Sequence, residues 1–146
     1  MKKFLIIFFV LFSISSFSQE WLLDRDLAFS SAKKEGKNIL ILFSGSDWCG
    51  PCIMLEKMVW ETDEFENYSK DIILLKIDFP RKNKNRLSDE QFRHNQQVSM
   101  EYNPRGSVPM VVLVSPENKV LGVTGYYRTT VDEYLSNLDD IQKNSH

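Results

Sequence analysis

The sequence predicts an α/β domain, a mixed central sheet of about four strands flanked by helices on both faces. Three observations carry that expectation. Asn38 to Phe43 and Ile72 to Ile77 are apolar runs too short for helices, so they read as buried strands. A helical segment lies between them, which favours parallel pairing. Met110 to Val114 and Lys119 to Thr124 are two further strands, joined by Ser115-Pro116-Glu117-Asn118, a turn that makes them an antiparallel hairpin.

In chain order, Trp21 to Glu35 reads as a first helix, with Leu23, Leu27 and Ala28 at helical spacing and Gly36 as its stop. The first strand follows, then a loop at Ser44-Gly45-Ser46-Asp47. A second helix starts around Cys49 to Pro51. Proline is tolerated there because its missing N–H would have had no partner in a first turn. Met54, Leu55 and Met58 form that helix's inner stripe. Asp78-Phe79-Pro80 ends the second strand. Ser88 and Gln91 have the spacing of a capping box for a third helix, which runs to about Tyr102. Pro104-Arg105-Gly106-Ser107 breaks it. Thr130 and Glu133 cap a last helix, whose Val131, Tyr134, Leu135 and Leu138 face inward. No repeat and no linker interrupts this order.

Trp48-Cys49-Gly50-Pro51-Cys52 holds the only two cysteines of the chain. If the segment opens a helix, positions i and i+3 share a face and the sulfurs can close on each other. Unpaired N–H groups at a helix start also stabilise a thiolate on the first sulfur, and the thiolate is the form that attacks a disulfide. The same spacing fits half a zinc site or an inert staple. Zinc takes about four ligands, and the chain adds only His94 and the terminal His146, without the usual spacing. A staple across so short a loop contributes little chain entropy. Redox chemistry is the reading that the flanking Trp48 and the internal Gly50-Pro51 favour, with no metal and no organic cofactor. It requires that Cys49 be open to solvent and ionise readily.

Lys2 and Lys3 precede an apolar run, Phe4 to Phe12, and small residues at Ser16 and Ser18. That is the pattern of a secretory signal cut after Ser18, so residues 1–18 are expected to be removed and 19–146 to form one domain. A membrane-spanning helix would need about 20 apolar residues, so no stable membrane insertion is expected after cleavage. Loss of Lys2 and Lys3 takes a formal net charge of −2 to −4, which gives no nucleic-acid surface. Arg81-Lys82-Asn83-Lys84-Asn85-Arg86 is locally basic. It reads as a solvated loop or, more sharply, as an edge where a partner docks. Export to the periplasm or the exterior is where disulfides persist.

WCGPC after a buried strand, a Val108-Pro109 break into a hairpin, and Thr124-Gly125 before the last helix together resemble the thioredoxin superfamily, over Trp21 to Leu138. Gly-Ser-Asp before Trp48 and the Asp78-Phe79-Pro80-Arg81-Lys82 segment are similar to exported thioredoxin-like proteins and to the thioredoxin-like domains of disulfide-interchange reductases. The resemblance implies a thioredoxin-like fold, with Cys49 as nucleophile and Cys52 as resolving thiol. Pro109 would be a cis proline facing the disulfide, and the backbone of Val108 would pair with an extended substrate segment. Gly125 would leave room for that segment, and Trp48 would form an apolar rim. Gly50-Pro51 matches the reducing end of the superfamily, which implies a reductase of protein disulfides recharged by a membrane electron donor; nothing in the sequence demands more than a monomer. A disulfide oxidase or isomerase and a non-catalytic binding module are the competing expectations. Two positions depart from the pattern. Leu42 or Phe43 stands where thioredoxins bury an aspartate, with Glu56 a conceivable substitute base. Asp47, two residues before Cys49, disfavours the thiolate.

Overall fold

The computed structural model describes residues 19–143, so residues 1–18, expected to be a signal segment, and His146 lie outside the described residues. A five-stranded sheet has the order β1-β3-β2-β4-β5. Its strands are β1 (Trp21–Leu22), β2 (Ile39–Ser44), β3 (Ile73–Asp78), β4 (Met110–Val114) and β5 (Val120–Gly125). The three strands β1, β3 and β2 run parallel, while β4 and β5 are antiparallel to their neighbours. The four expected strands are therefore present, and a short edge strand extends them. Among the described residues no helix is long and apolar enough to cross a membrane.

Strand alternation builds two cores. Ile39, Ile41 and Phe43 of β2 and Ile73, Leu75 and Ile77 of β3 face α1 (Arg25–Glu35) and α4 (Asp89–Tyr102) through Ala28, Phe29, Ala32 and Val98. Leu40 and Leu42, with Leu74, face the other side. There they meet α2 (Gly50–Leu55), the π turn Glu56–Trp60 that continues it, α3 (Asp63–Tyr68) and α5 (Val131–Lys143). Trp60 anchors this second core. Its ring meets Trp21, Phe65 and Tyr134 edge to face, at 5.8, 4.6 and 5.7 Å between centroids.

Local chemistry explains the ends. Asp24 caps α1 by accepting the Leu27 N–H at 2.8 Å, and Gly36 closes it in the left-handed region at φ 64°. α1 therefore starts at Arg25, not at Trp21. Pairing with β3 pulls Trp21 and Leu22 into the sheet instead. Leu23 and Leu27 are exposed, since Ala28, Phe29 and Ala32 form the buried stripe. Met54 is also exposed, a second correction. One turn of α2 presents Cys52 and Leu55 to the sheet and turns Met54 away. Ser88 caps α4 as expected, but Gln91 does not close the box; its amide donates to the Leu23 carbonyl at 3.0 Å and ties α4 to the start of α1. In α5 the box is complete, with Thr130 Oγ1 accepting the Glu133 N–H and Glu133 Oε2 accepting the Thr130 N–H. α3, capped by Thr62, was not expected from the sequence.

Candidate active site

The C-terminal end of β2 delivers the chain into the turn at Gly45 and then into α2. Cys49 is the N-cap residue of that helix and Cys52 lies in its first turn. The two are joined as a disulfide with their Cα atoms 5.2 Å apart. Two backbone N–H groups point at the sulfurs. Cys52 N–H donates to Cys49 Sγ at 3.3 Å, and Gly45 N–H to Cys52 Sγ at 3.5 Å. Such donors favour a thiolate over a thiol once the bond opens. Gly50 and Pro51 lie on the exposed side of this turn. Cys49 is only 5 % exposed, so the expectation of an open leading sulfur is not met in the oxidised form, where the bond to Cys52 draws it over the helix.

The register pairs Phe43 with Met110, which makes Ser44 and Pro109 the next positions along β2 and β4. The Val108–Pro109 peptide is cis. Gly125, the last residue of β5, packs so closely that a Cβ there would sit 3.1 Å from the Pro109 carbonyl oxygen. The Gly125 carbonyl accepts the Tyr134 hydroxyl, which fixes the end of β5 against α5. Trp48 is 38 % exposed and stands as a rim. Its Nε1–H donates to the Phe79 carbonyl at 2.7 Å. Trp48 and Val108 line one shallow groove of about 490 Å³ with Phe79, Arg81 and Met100.

Sequence reasoning missed what holds the Trp48 loop in place. Ser44, Ser46, Asp47 and Trp48 are bonded to the end of β3 and the segment that follows it. Phe79 N–H donates to the Ser44 carbonyl at 2.9 Å. Asp78 accepts from the Ser46 backbone N–H and from its hydroxyl. Asp47 accepts from the backbone N–H groups of Arg81 and Lys82 at 2.9 and 3.0 Å, and from the Asn85 side-chain amide at 3.0 Å. Gly45 lies under the Trp48 ring, where a Cβ would come within 2.4 Å of Cε2. Gly, Ser and Asp before Trp48 signal a turn that offers acceptors, but nothing local signals a partner some 30 residues away.

These bonds also settle where the Asp47 charge is spent. The Arg81 N–H, and then the Asn85 amide, hold its carboxyl below the ordinary carboxylate range. That anchoring is complete above the ordinary range and is lost as pH falls through the depressed value. Asp47→Asn turns one acceptor into a donor that faces donors. Amide exchange at Arg81 and Lys82 is expected to speed up at least about tenfold, with β2 and β3 unchanged; equal exchange would refute the anchoring role.

No acid is buried at the position in question. Leu42 is 1 % exposed and Phe43 is fully buried, on opposite faces of the sheet. Lys76, the register partner of Leu42, pairs with Glu56 at 3.6 Å, so Glu56 is engaged rather than merely solvated. His94 is not part of a ligand set. Its Nε2 accepts the Arg25 N–H at 3.0 Å and helps cap α1. Among the described residues no group of three potential metal ligands gathers.

A thioredoxin-like family model matches residues 20–116. The disulfide bond reductase DsbH of Chlamydia pneumoniae is 31 % identical over 100 residues, which are 68 % of this chain and 58 % of that protein. The thioredoxin-related protein DsbJ of the same organism is 28 % identical over 82 % of this chain but only 33 % of its own length. The chain thus spans about three fifths and one third of these curated relatives. A solved structure titled DsbH Oxidoreductase superposes with a TM-score of 0.79 at 27 % identity, covering 86 % of this chain and 85 % of that one. Bonded cysteines at a helix start, a matching family model and a relative 31 % identical over 68 % of the chain lead to one conclusion: the chain belongs to the thioredoxin-like family.

Proposed function

We propose that this chain is a thiol–disulfide oxidoreductase of the cell envelope that reduces disulfides in protein substrates. The observation that carries the reading is the Cys49–Cys52 disulfide in the first turn of α2, at the C-terminal end of β2. In the reduced form, the Cys49 thiolate attacks one sulfur of a substrate disulfide. That bond breaks, its second sulfur leaves as a thiolate that takes a proton, and a mixed disulfide remains. Cys52, losing its proton, attacks Cys49 Sγ and releases the other substrate sulfur. Two electrons pass to the substrate and the observed Cys49–Cys52 bond returns. The cycle needs no metal or organic cofactor.

In this reading Trp48 forms the apolar rim, and the backbone of Val108 pairs with an extended substrate segment beside Pro109. Gly125 keeps β5 close to Pro109 without filling the substrate's path. The burial of Leu42 and Phe43 leaves the Cys52 proton to water or to a group such as Glu56. Gly50-Pro51 and the name of the relative DsbH support the reducing direction. Residues 1–18 support export, which calls for a membrane electron donor to restore the dithiol.

The test is a Cys52→Ser protein, which performs the first step and cannot finish the second. It is expected to accumulate mixed disulfides with envelope proteins, visible on non-reducing gels and absent when Cys49 is also replaced. A trap that stays empty while a thioredoxin variant treated alike fills would count against catalysis. Direction is read from the equilibrium with glutathione. A potential near −270 mV fits a reductase, whereas one above about −180 mV would favour an oxidase or isomerase.

A further inference from the structure

The redox cycle leaves the basic run Arg81 to Arg86 without a role. Arg81, Lys82, Lys84 and Arg86 are exposed, and no acidic residue occurs from Phe79 to Ser88 in a chain whose net charge is −2. Such runs are ordinarily solvated faces, but three features set this one apart. Asp47 fastens it to the active-site loop, as described above. The Arg81 guanidinium lies over the Trp48 ring, 3.6 Å from the ring centroid, so a cation stands at the rim next to Cys49. Finally, Arg81, Lys82 and Arg86 line a second cavity of about 450 Å³, whose other walls include Phe92 and Asp89.

Arg81 borders both this cavity and the apolar groove that reaches Val108. Phe79 of the groove and Phe92 of the cavity meet edge to face at 6.2 Å. A segment laid along Val108 therefore passes first over apolar surface and then over cations. The nearby acids are largely committed. Asp47 accepts from three donors of the loop and Asp78 accepts from Ser46, which leaves Asp89 at the cavity. Among the described residues no carboxylate lies within ion-pair distance of Lys82, Lys84 or Arg86.

We propose that the 81–86 loop is a docking edge that selects acidic protein segments, in which the reacting cysteine is neighboured by an apolar residue and then by carboxylates. This rests on the redox reading of the cysteine pair and adds the substrate class. Complementary charge at the rim speeds encounter and suppresses basic partners, and salt weakens both effects.

The test uses three labelled extended peptides with the same apolar neighbour, flanked by Glu, by Gln or by Lys. In one set serine replaces the cysteine, so that anisotropy reads binding without chemistry; in the other the cysteine carries a disulfide, so that the rate of cleavage is read. At low salt the Glu peptide is expected to bind and react about tenfold better than the Lys peptide, the gap closing near 0.5 M salt, where the Debye length falls to a few ångströms, roughly 3–5 Å. The double variant Lys82→Glu/Arg86→Glu is expected to reverse the order. Equal binding of the three peptides, no measurable binding of the Glu peptide, or an unchanged order in the variant would each overturn the proposal. So would adhesion to phosphatidylcholine–phosphatidylglycerol vesicles without discrimination among peptides, which would make the loop a lipid-facing surface. Reduction of neutral bis(2-hydroxyethyl) disulfide separates the two readings. If it proceeds while the peptides are not distinguished, only the docking edge fails. If the serine peptides are distinguished and no disulfide of any kind is cleaved, the docking edge stands and the redox reading fails.

Discussion

On the proposed reading, Cys49→Ala is expected to abolish thiol–disulfide exchange, with a fall of at least about a thousandfold in insulin or small-disulfide reduction. The reason is that the sulfur proposed to attack, the helix N-cap and the acceptor of the Cys52 N–H are one residue. Cys52 cannot take over. Both sulfurs are buried in the disulfide form, at 5 % and 3 % exposure, so burial does not separate them; Cys49 alone is the N-cap residue, where the helix start favours a thiolate. Groups that act as one unit are not additive, so the double variant Cys49→Ala/Cys52→Ala should be no worse than Cys49→Ala alone. Cys52→Ser differs, because it keeps the first step and loses turnover. Stopped-flow mixing with a chromogenic disulfide separates the two: a stoichiometric burst from Cys52→Ser and none from Cys49→Ala. A burst of equal size from both proteins would show that Cys49 is not the nucleophile.

Trp60→Ala carries the largest expected loss of stability. The side chain is 2 % exposed and is surrounded by Trp21, Phe65 and Tyr134. Emptying a site of this size costs about 3–5 kcal/mol, of which each edge-to-face contact supplies about 0.5–1.5. A domain of this kind holds about 5–15 kcal/mol in all, so about a fifth or more is at stake. With a urea slope of about 1–3 kcal/mol per molar, the midpoint should drop by about 1–5 M. Near-UV circular dichroism should weaken in parallel, because the neighbouring rings lose their fixed partner. A midpoint shift below about 0.5 M would mean that the core closes over the gap and that Trp60 is not its anchor.

The parts of this molecule that were legible in the sequence are those governed by near neighbours. The runs that became β2 and β3 are apolar because both faces of the sheet are covered, and that reading holds without knowing what covers them. Ser88 and Thr130 announce helix starts because a cap acts across three residues. The cysteine spacing is likewise a local fact. What escaped is set by distant partners. Trp21 and Leu22 read as helix by spacing and became a strand because β3 offered an unpaired edge. Met54 read as core, but Cys52 and Leu55 took the inward face of α2. The bonds from Asp47 and Ser46 reach partners more than 30 residues away, and no periodicity encodes them. No periodicity encodes the partner of Glu56 either, Lys76 on β3.

The stitching of residues 44–48 to residues 78–85 has an evolutionary and practical corollary. The cysteine-flanked dipeptide and the 81–86 loop proposed to meet a substrate belong to separate stretches of chain, held in fixed relation by main-chain atoms and by the carboxylates of Asp47 and Asp78. Main-chain donors tolerate almost any side chain. If the 81–86 loop docks substrates as proposed, that stretch is free to vary, and a graft of positions 82–86 that keeps Asn85 should redirect the molecule toward new clients while its electron affinity stays where it was.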